Sequence, residues 1–230
     1  MTSRSAASRR DPSPSGTRTS SAGDRARKAV SWAAAWVTPT AVGTLPPAAA
    51  SRYRSYESVP GHHLQLASAQ TLTHLPRCRR HVDTQLGVYV EGWGLYAERL
   101  ADEFGLYSSP LARLGMLSFD ALRACRLVVD TGMHQLGWSR TRAMAFVRDN
   151  TATTEANVRN EIDRYIGWPG QALAYVTGRG EMVRLRERSR AELGSAFDLR
   201  GFHGAVLGEG PLPLPVLDSV VAAWSRSHLA

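Results

Sequence analysis

The sequence predicts an all-α body behind a low-complexity tail, and three observations carry that reading. From Pro60 onward, apolar residues recur three and four positions apart, the spacing of one helix face. No stretch alternates apolar and polar residues for long enough to make a strand. The same region is punctuated by helix starts at Ser109-Pro110, Ser139, Thr154 and Asp198 and by stops at Gly105 and Gly137.

Residues 1–52 are rich in Ser, Arg, Ala, Pro and Thr and hold no sustained period. Such a segment cannot bury enough apolar surface to offset its backbone entropy, so it is expected to be disordered. Residues 53–230 are expected to form one helical domain. Leu64, Leu66, Ala67, Ala69, Gln70 and Leu72 give the first helix, which Pro76 ends. The second covers 84–104, with Val88, Glu91, Leu95 and Glu98 on one stripe and Tyr89, Trp93 and Tyr96 on its neighbour. Carboxylates on so apolar a face are costly unless paired or bound to metal.

A long third helix is expected over 111–136, with Leu114, Leu117, Phe119, Leu122, Cys125, Val128 and Val129 as apolar positions. Asp120, Arg123, Arg126, Asp130 and His134 are expected to be buried alongside, Arg126 pairing with Asp130 and Arg123 with Asp120. Helices over 140–148 and from Thr154 to Tyr165 follow. Pro169-Gly170 then interrupts the pattern, and a short piece over 171–177 stops before Gly178. The remaining helices are expected over 181–193, 199–207 and 215–227.

The net charge of +8 is unevenly placed. Residues 1–55 hold nine basic and two acidic side chains, whereas the rest holds 19 and 18. The body is therefore close to neutral and offers no electrostatic footprint for nucleic acid. No run of 18 apolar residues exists to span a membrane. The apolar piece 29–37 follows basic residues, but it starts late and lacks a clean cleavage site. The expected location is cytoplasmic, with secretion left open. Cys78 and Cys125 form no framework and are expected to be buried free thiols.

The chemistry concentrates in residues 57–98. Glu57, the adjacent His62 and His63, and Glu91 are the residue types of a metal site in which a carboxylate works on bound water. In His-Glu-x-x-His zinc peptidases one helical turn presents two imidazoles to the metal and a glutamate to its water. On that pattern Glu57 is the general base, His62 a ligand with His63 as the alternative, and Glu91 the later carboxylate ligand.

The linked motifs are more specific than any one of these residues. They are Glu57-Ser-Val-Pro-Gly-His-His-Leu-Gln65, Tyr89-Val-Glu-Gly-Trp-Gly-Leu-Tyr-Ala-Glu98 and Asp130-Thr-Gly-Met-His134 with Gly137-Trp138. Thr154-Glu-Ala-Asn157, Asn160-Glu161, Arg164-Tyr165, Trp168-Pro-Gly-Gln-Ala-Leu-Ala-Tyr175, Phe197-Asp-Leu199, Phe202-His203 and Pro211-Leu-Pro-Leu214 follow in order. Over 53–224 the chain resembles the C-terminal part of the DUF885 family, bacterial proteins with a zincin-like, mostly helical metallopeptidase fold. The resemblance implies a zinc-dependent hydrolase acting on short peptides. It also implies that His134 and Tyr165 or Tyr175 polarise the substrate carbonyl and stabilise the oxyanion.

Two departures from the family pattern bear on activity. Tyr56 stands where the motif's first histidine belongs, and a phenol with a pKa near 10 is a poor metal ligand at neutral pH. The large N-terminal helical region of the family is replaced by low-complexity sequence, as in a fragment or decayed gene copy. The expectation is thus a hydrolase inactivated by Tyr56 and by the missing half. The alternative is a non-catalytic helical module that binds peptides or partners.

Overall fold

The computed structural model describes residues 55–81 and 86–229, so the expected disordered tail over 1–52 lies outside the described residues. Helices appear as α1 (His62–Thr71), α2 (Arg77–Arg80), α3 (Gly87–Glu103), α4 (Pro110–His134), α5 (Arg140–Asn150) and α6 (Glu155–Gly167). They continue as α7 (Ala174–Leu193), α8 (Leu199–Leu207) and α9 (Leu214–Ser227), with a 3-10 turn at Gln171–Leu173 leading into α7. No strand occurs among the described residues. The all-α expectation holds.

The four starts that the sequence predicts are capped. Ser109, Ser139 and Thr154 accept the backbone N–H three residues on, and Asp198 accepts those of Arg200 and Gly201, satisfying donors with no intrahelical partner. Gly105 and Gly137 both take left-handed backbone (φ +65) just beyond helix ends, which glycine adopts without a Cβ clash.

Two cores hold the body. The first joins Tyr89, Trp93, Tyr96 and Leu100 of α3 to Met182 and Leu185 of α7, and α8 and α9 add Phe202, Val206, Leu217 and Val221. The second joins α4, α5 and α6 through Leu122, Val129, Ala143, Val147, Val158, Ile162 and Tyr165. Between them lies a small cluster of Tyr56, Leu95 and Tyr175.

The expected break at Gly178 is absent, and α7 runs unbroken from Ala174 to Leu193. Gly178 instead lies where α7 crosses α3. A Cβ there would fall 1.9 Å from the Val88 carbonyl oxygen, and one on Gly92 would fall 2.5 Å from the Gly178 Cα. Glycine inside a helix costs roughly 1 kcal/mol, which the close helix contact offsets.

The expected pairs along α4 are also replaced. Arg123 faces Glu98 of α3 at 3.7 Å, Arg126 bonds Glu161 of α6 at 2.7 Å, and Asp120 bonds Arg179 of α7. Asp130 accepts the Gly170 backbone N–H at 3.1 Å. In-helix pairs give way because α3, α6 and α7 bring opposite charges, and the turn before α7 a backbone N–H, within reach of α4. Of the five polar residues expected to be buried, Arg123 and Asp130 are; Asp120 and Arg126 are partly so, and His134 is exposed. Cys125 is buried, but Cys78 is exposed, because the four-residue α2 buries none of its residues.

Gly178→Ala is expected to lower stability by about 3 kcal/mol, since the contact is with backbone and cannot yield by a rotamer change. Urea unfolding checks this, and a loss within about 0.5 kcal/mol would show that the helices are not in close contact there.

Candidate functional site

The site is assembled by a sharp return of the chain before α1. Residues 55–57 are helical, and Pro60-Gly61 turns the backbone so closely that a Cβ on Gly61 would fall 1.8 Å from the Tyr56 carbonyl oxygen. His62 then starts α1, and its ring lies edge-on to Tyr56 with centroids 4.6 Å apart. Both rings rest against Gly94 of α3, where a Cβ would approach each to 2.8 Å. Glu91, three residues earlier on α3, therefore shares the helix face on which the rings lie.

His62 Nδ1 meets Gln65 Oε1 at 3.2 Å, while Gln65 Nε2 donates to the Tyr89 carbonyl at 3.5 Å. With Nδ1 so occupied, Nε2 is left facing Glu91 Oε2 at 3.5 Å. The Tyr56 hydroxyl donates to that same oxygen. Trp93 Nε1 bonds the Pro60 carbonyl at 2.9 Å and pins the turn to α3.

The charges are set by burial and by one another. Burial works against a charged His62, but the Glu91 hydrogen bond and charge, with Glu57 adding, outweigh it and raise its pKa. Burial likewise works against Glu91, yet His62 and the hydroxyls of Tyr56 and Tyr175 bring its pKa below the ordinary value. Burial raises the Tyr56 pKa well above its ordinary value and the Glu91 charge adds to that, while Arg123, 4.7 Å over the ring, works the other way. Tyr175 is raised by burial and then by Glu91. Both phenols therefore keep their protons at neutral pH.

A second polar layer backs Tyr175. Gln171 Nε2 donates to its hydroxyl at 3.3 Å, and Arg126 lies 4.4 Å over its ring. Gln171 Oε1 accepts from Arg164 at 2.7 Å, and Arg126 and Arg164 both donate to Glu161.

Of the expected residues, His62, Glu91 and Tyr175 come together, with Glu57 close enough for its charge to act on His62. His63 is exposed, leaving His62 as the histidine of the site. Tyr165 lies in the second layer, its hydroxyl on Glu161 and Arg126. His134 bonds the Tyr165 carbonyl at 3.0 Å, away from the Glu91 group. Sequence reasoning missed Gln65, Gln171 and the cations Arg123 and Arg126. The only sequence signal for the cations is their three-residue spacing on an apolar helix, which fits in-helix pairing equally well.

The donor set can be tested against zinc. Adjacent corners of a tetrahedron with bonds of about 2.1 Å lie about 3.4 Å apart, close to the 3.5 Å between His62 Nε2 and Glu91 Oε2. Two corners are thus in suitable relation. The next donor, Tyr56, is a protonated phenol whose hydrogen is spent on the Glu91 oxygen a metal would need. No group of three or more His, Cys, Asp or Glu able to hold a metal occurs among the described residues. The residues do not fit a three-ligand zinc centre.

Comparison with known proteins adds the lineage. The profile of a family described as "Bacterial protein of unknown function (DUF885)" matches residues 3–221, a span that begins well ahead of residue 53. The crystal structure of the "putative lipoprotein" from Colwellia psychrerythraea is 41% identical with a TM-score of 0.76, over 79% of this chain and 31% of that one. A "putative lipoprotein of unknown function" from Shewanella oneidensis is 25% identical with a TM-score of 0.66, over 74% of this chain and 31% of that one. The chain thus matches about a third of the length of either solved protein. No curated protein matches it. No described helix is long and apolar enough to cross a membrane.

The pKa directions fix a pH profile. Glu91, held below its ordinary 4.5, adds stability that is present above that value and lost as pH falls through the lowered one. His62, held above its ordinary 6.5, adds stability that is full below 6.5 and lost as pH rises through the raised one. The stability gap between the wild type and Glu91→Gln is expected to peak between about pH 4.5 and 6.5 and to shrink on either side. A gap that stays flat in urea melts across that range and beyond would show that the pair is not ionised.

Proposed function

The chain belongs to DUF885, and from that premise we propose that it carries the ligand-binding framework of a metal-dependent peptide hydrolase. With Tyr56 at the head of the motif, it binds peptide-type ligands without turning them over. The observation that carries this reading is the Tyr56 hydroxyl donating to Glu91. The phenol fills a ligand corner and occupies the neighbouring ligand with its proton.

The rest of the framework is that of a site for a polar backbone. Glu57 and Glu91 supply carboxylate acceptors for peptide N–H groups, and Gln65 and Gln171 fix the orientation of His62 and Tyr175. The near-neutral charge of residues 56–230 suits an uncharged backbone better than a polyanion. The two similar structures bear lipoprotein names, which favour a place of action in the cell envelope over the cytoplasm. The rival reading is an active zinc peptidase that Tyr56 does not disable.

Metal content separates the two. Purified wild-type protein is expected to hold far less than one zinc per chain by emission spectrometry and to cleave no dipeptide or tripeptide. Tyr56→His is expected to raise zinc affinity by about a hundredfold or more, because it restores a third ligand and frees Glu91. Stoichiometric zinc with peptide cleavage in the wild type would replace the non-catalytic reading by the active one. A Tyr56→His variant that remains as zinc-free as the parent would remove the metal-site framework from both readings.

A further inference from the structure

The polar layer behind Tyr175 is gathered on a single carboxylate oxygen. Glu161 Oε2 accepts from Arg126 Nη2 at 2.7 Å and Nε at 3.1 Å, from Arg164 Nη2 at 3.1 Å and from the Tyr165 hydroxyl. Two guanidiniums thus share one carboxylate, and one positive charge is in excess. That charge is largely out of water, with side-chain exposures of 11% for Arg126, 15% for Glu161 and 30% for Arg164. Arg126 Nη1 and Arg164 Nε make no hydrogen bond to any described residue.

A second observation points the same way. Arg123, one helical turn before Arg126, is 3% exposed, and its Nε and Nη1 have no hydrogen-bond partner among the described residues. Its guanidinium lies 5.8 Å from the Tyr175 ring, and that of Arg126 lies 4.4 Å from it. Glu98 faces Arg123 only at 3.7 Å. Buried donors in want of an acceptor are costly where nothing binds them.

We propose that Arg126 and Arg164, with Tyr175 between them and Glu91, form a subsite for the C-terminal carboxylate of a short peptide. This rests on the peptide-ligand reading above. The single excess charge matches a monoanion, whereas a dianion such as phosphate would be opposed by Glu161 and Glu91. Planar guanidinium forks suit a planar carboxylate. Tyr175 joins the two places: its hydroxyl acts on Glu91 and its ring lies under Arg126. The anion is therefore one side chain away from Glu91, and the last peptide bond of a ligand anchored by its carboxylate lies beside the His62–Glu91 group.

Calorimetry with matched probes tests this: N-acetyl-dialanine as the free acid, the same peptide as its C-terminal amide, and butyrate as a carboxylate without a peptide bond. The free acid is expected to bind about tenfold or more tighter than the amide, and Arg164→Gln is expected to abolish that preference. Glu161→Gln removes the competing carboxylate and is expected to tighten acid binding several-fold. A purely structural role for the cluster predicts the reverse, since loosening it would weaken every ligand. Equal binding of acid and amide by the wild type overturns the subsite and leaves the peptide reading standing. Butyrate binding that depends on Arg164, without binding of either peptide, supports the subsite and overturns the peptide reading. Failure of all three probes overturns both.

Discussion

The close crossing of α3 and α7 at Gly92 and Gly178 is the constraint on which the rest depends. With no Cβ on either helix the backbones meet directly, a Cβ on Gly178 lying within 1.9 Å of the Val88 carbonyl oxygen. On α3 Glu91 adjoins the crossing and Gly94 follows two residues on, and Tyr175 stands about one turn before it on α7. Holding these helices together sets the Tyr175 hydroxyl against Glu91, and the bare surface at Gly94 admits the Tyr56 and His62 rings. A larger residue at the crossing would separate the two walls of the site before it touched any residue in it.

Around that crossing the structure handles buried charge by sharing it between helices. Glu98 is fully buried on α3 and faces Arg123 of α4, while Arg126 of α4 reaches Glu161 of α6 and Asp120 reaches Arg179 of α7. The Glu98–Arg123 and Asp120–Arg179 pairs cross between the α3–α7 core and the α4–α6 core, while Arg126–Glu161 ties α4 to α6 within the second. Such pairs are weak sources of net stability, because desolvation offsets most of their attraction. Their role here is positional: they bring the guanidiniums of α4 to the ring of Tyr175.

The same arrangement explains what Tyr56 does. A phenol is larger than an imidazole, and the missing Cβ of Gly94 leaves space for it on one side while the guanidinium of Arg123 covers its ring. Its ring is held at 4% exposure, and its hydroxyl is directed to Glu91. The position is therefore packed and hydrogen-bonded.

The helices were legible because their signals are local. The caps at Ser109, Ser139, Thr154 and Asp198, the glycines at 105 and 137, and the periodicity between them act within a few residues. So did the motif that places Glu57, His62 and Glu91 in order. Misreadings occurred where a residue's role depends on a distant neighbour. Gly178 is spelled like a helix stop and serves as a helix crossing; Arg126 and Asp130 are spaced like a pair and bond elsewhere. The sequence favours His62 over His63 without excluding the latter, and packing against α3 buries His62 and leaves His63 exposed. By itself the sequence determined the all-α class, most of the helix boundaries and the family, since these follow from short-range backbone and spacing rules. Only the tertiary structure decided that Tyr56 donates to Glu91, and that two arginines of α4 lie within 6 Å of Tyr175, because such contacts depend on how separate helices pack.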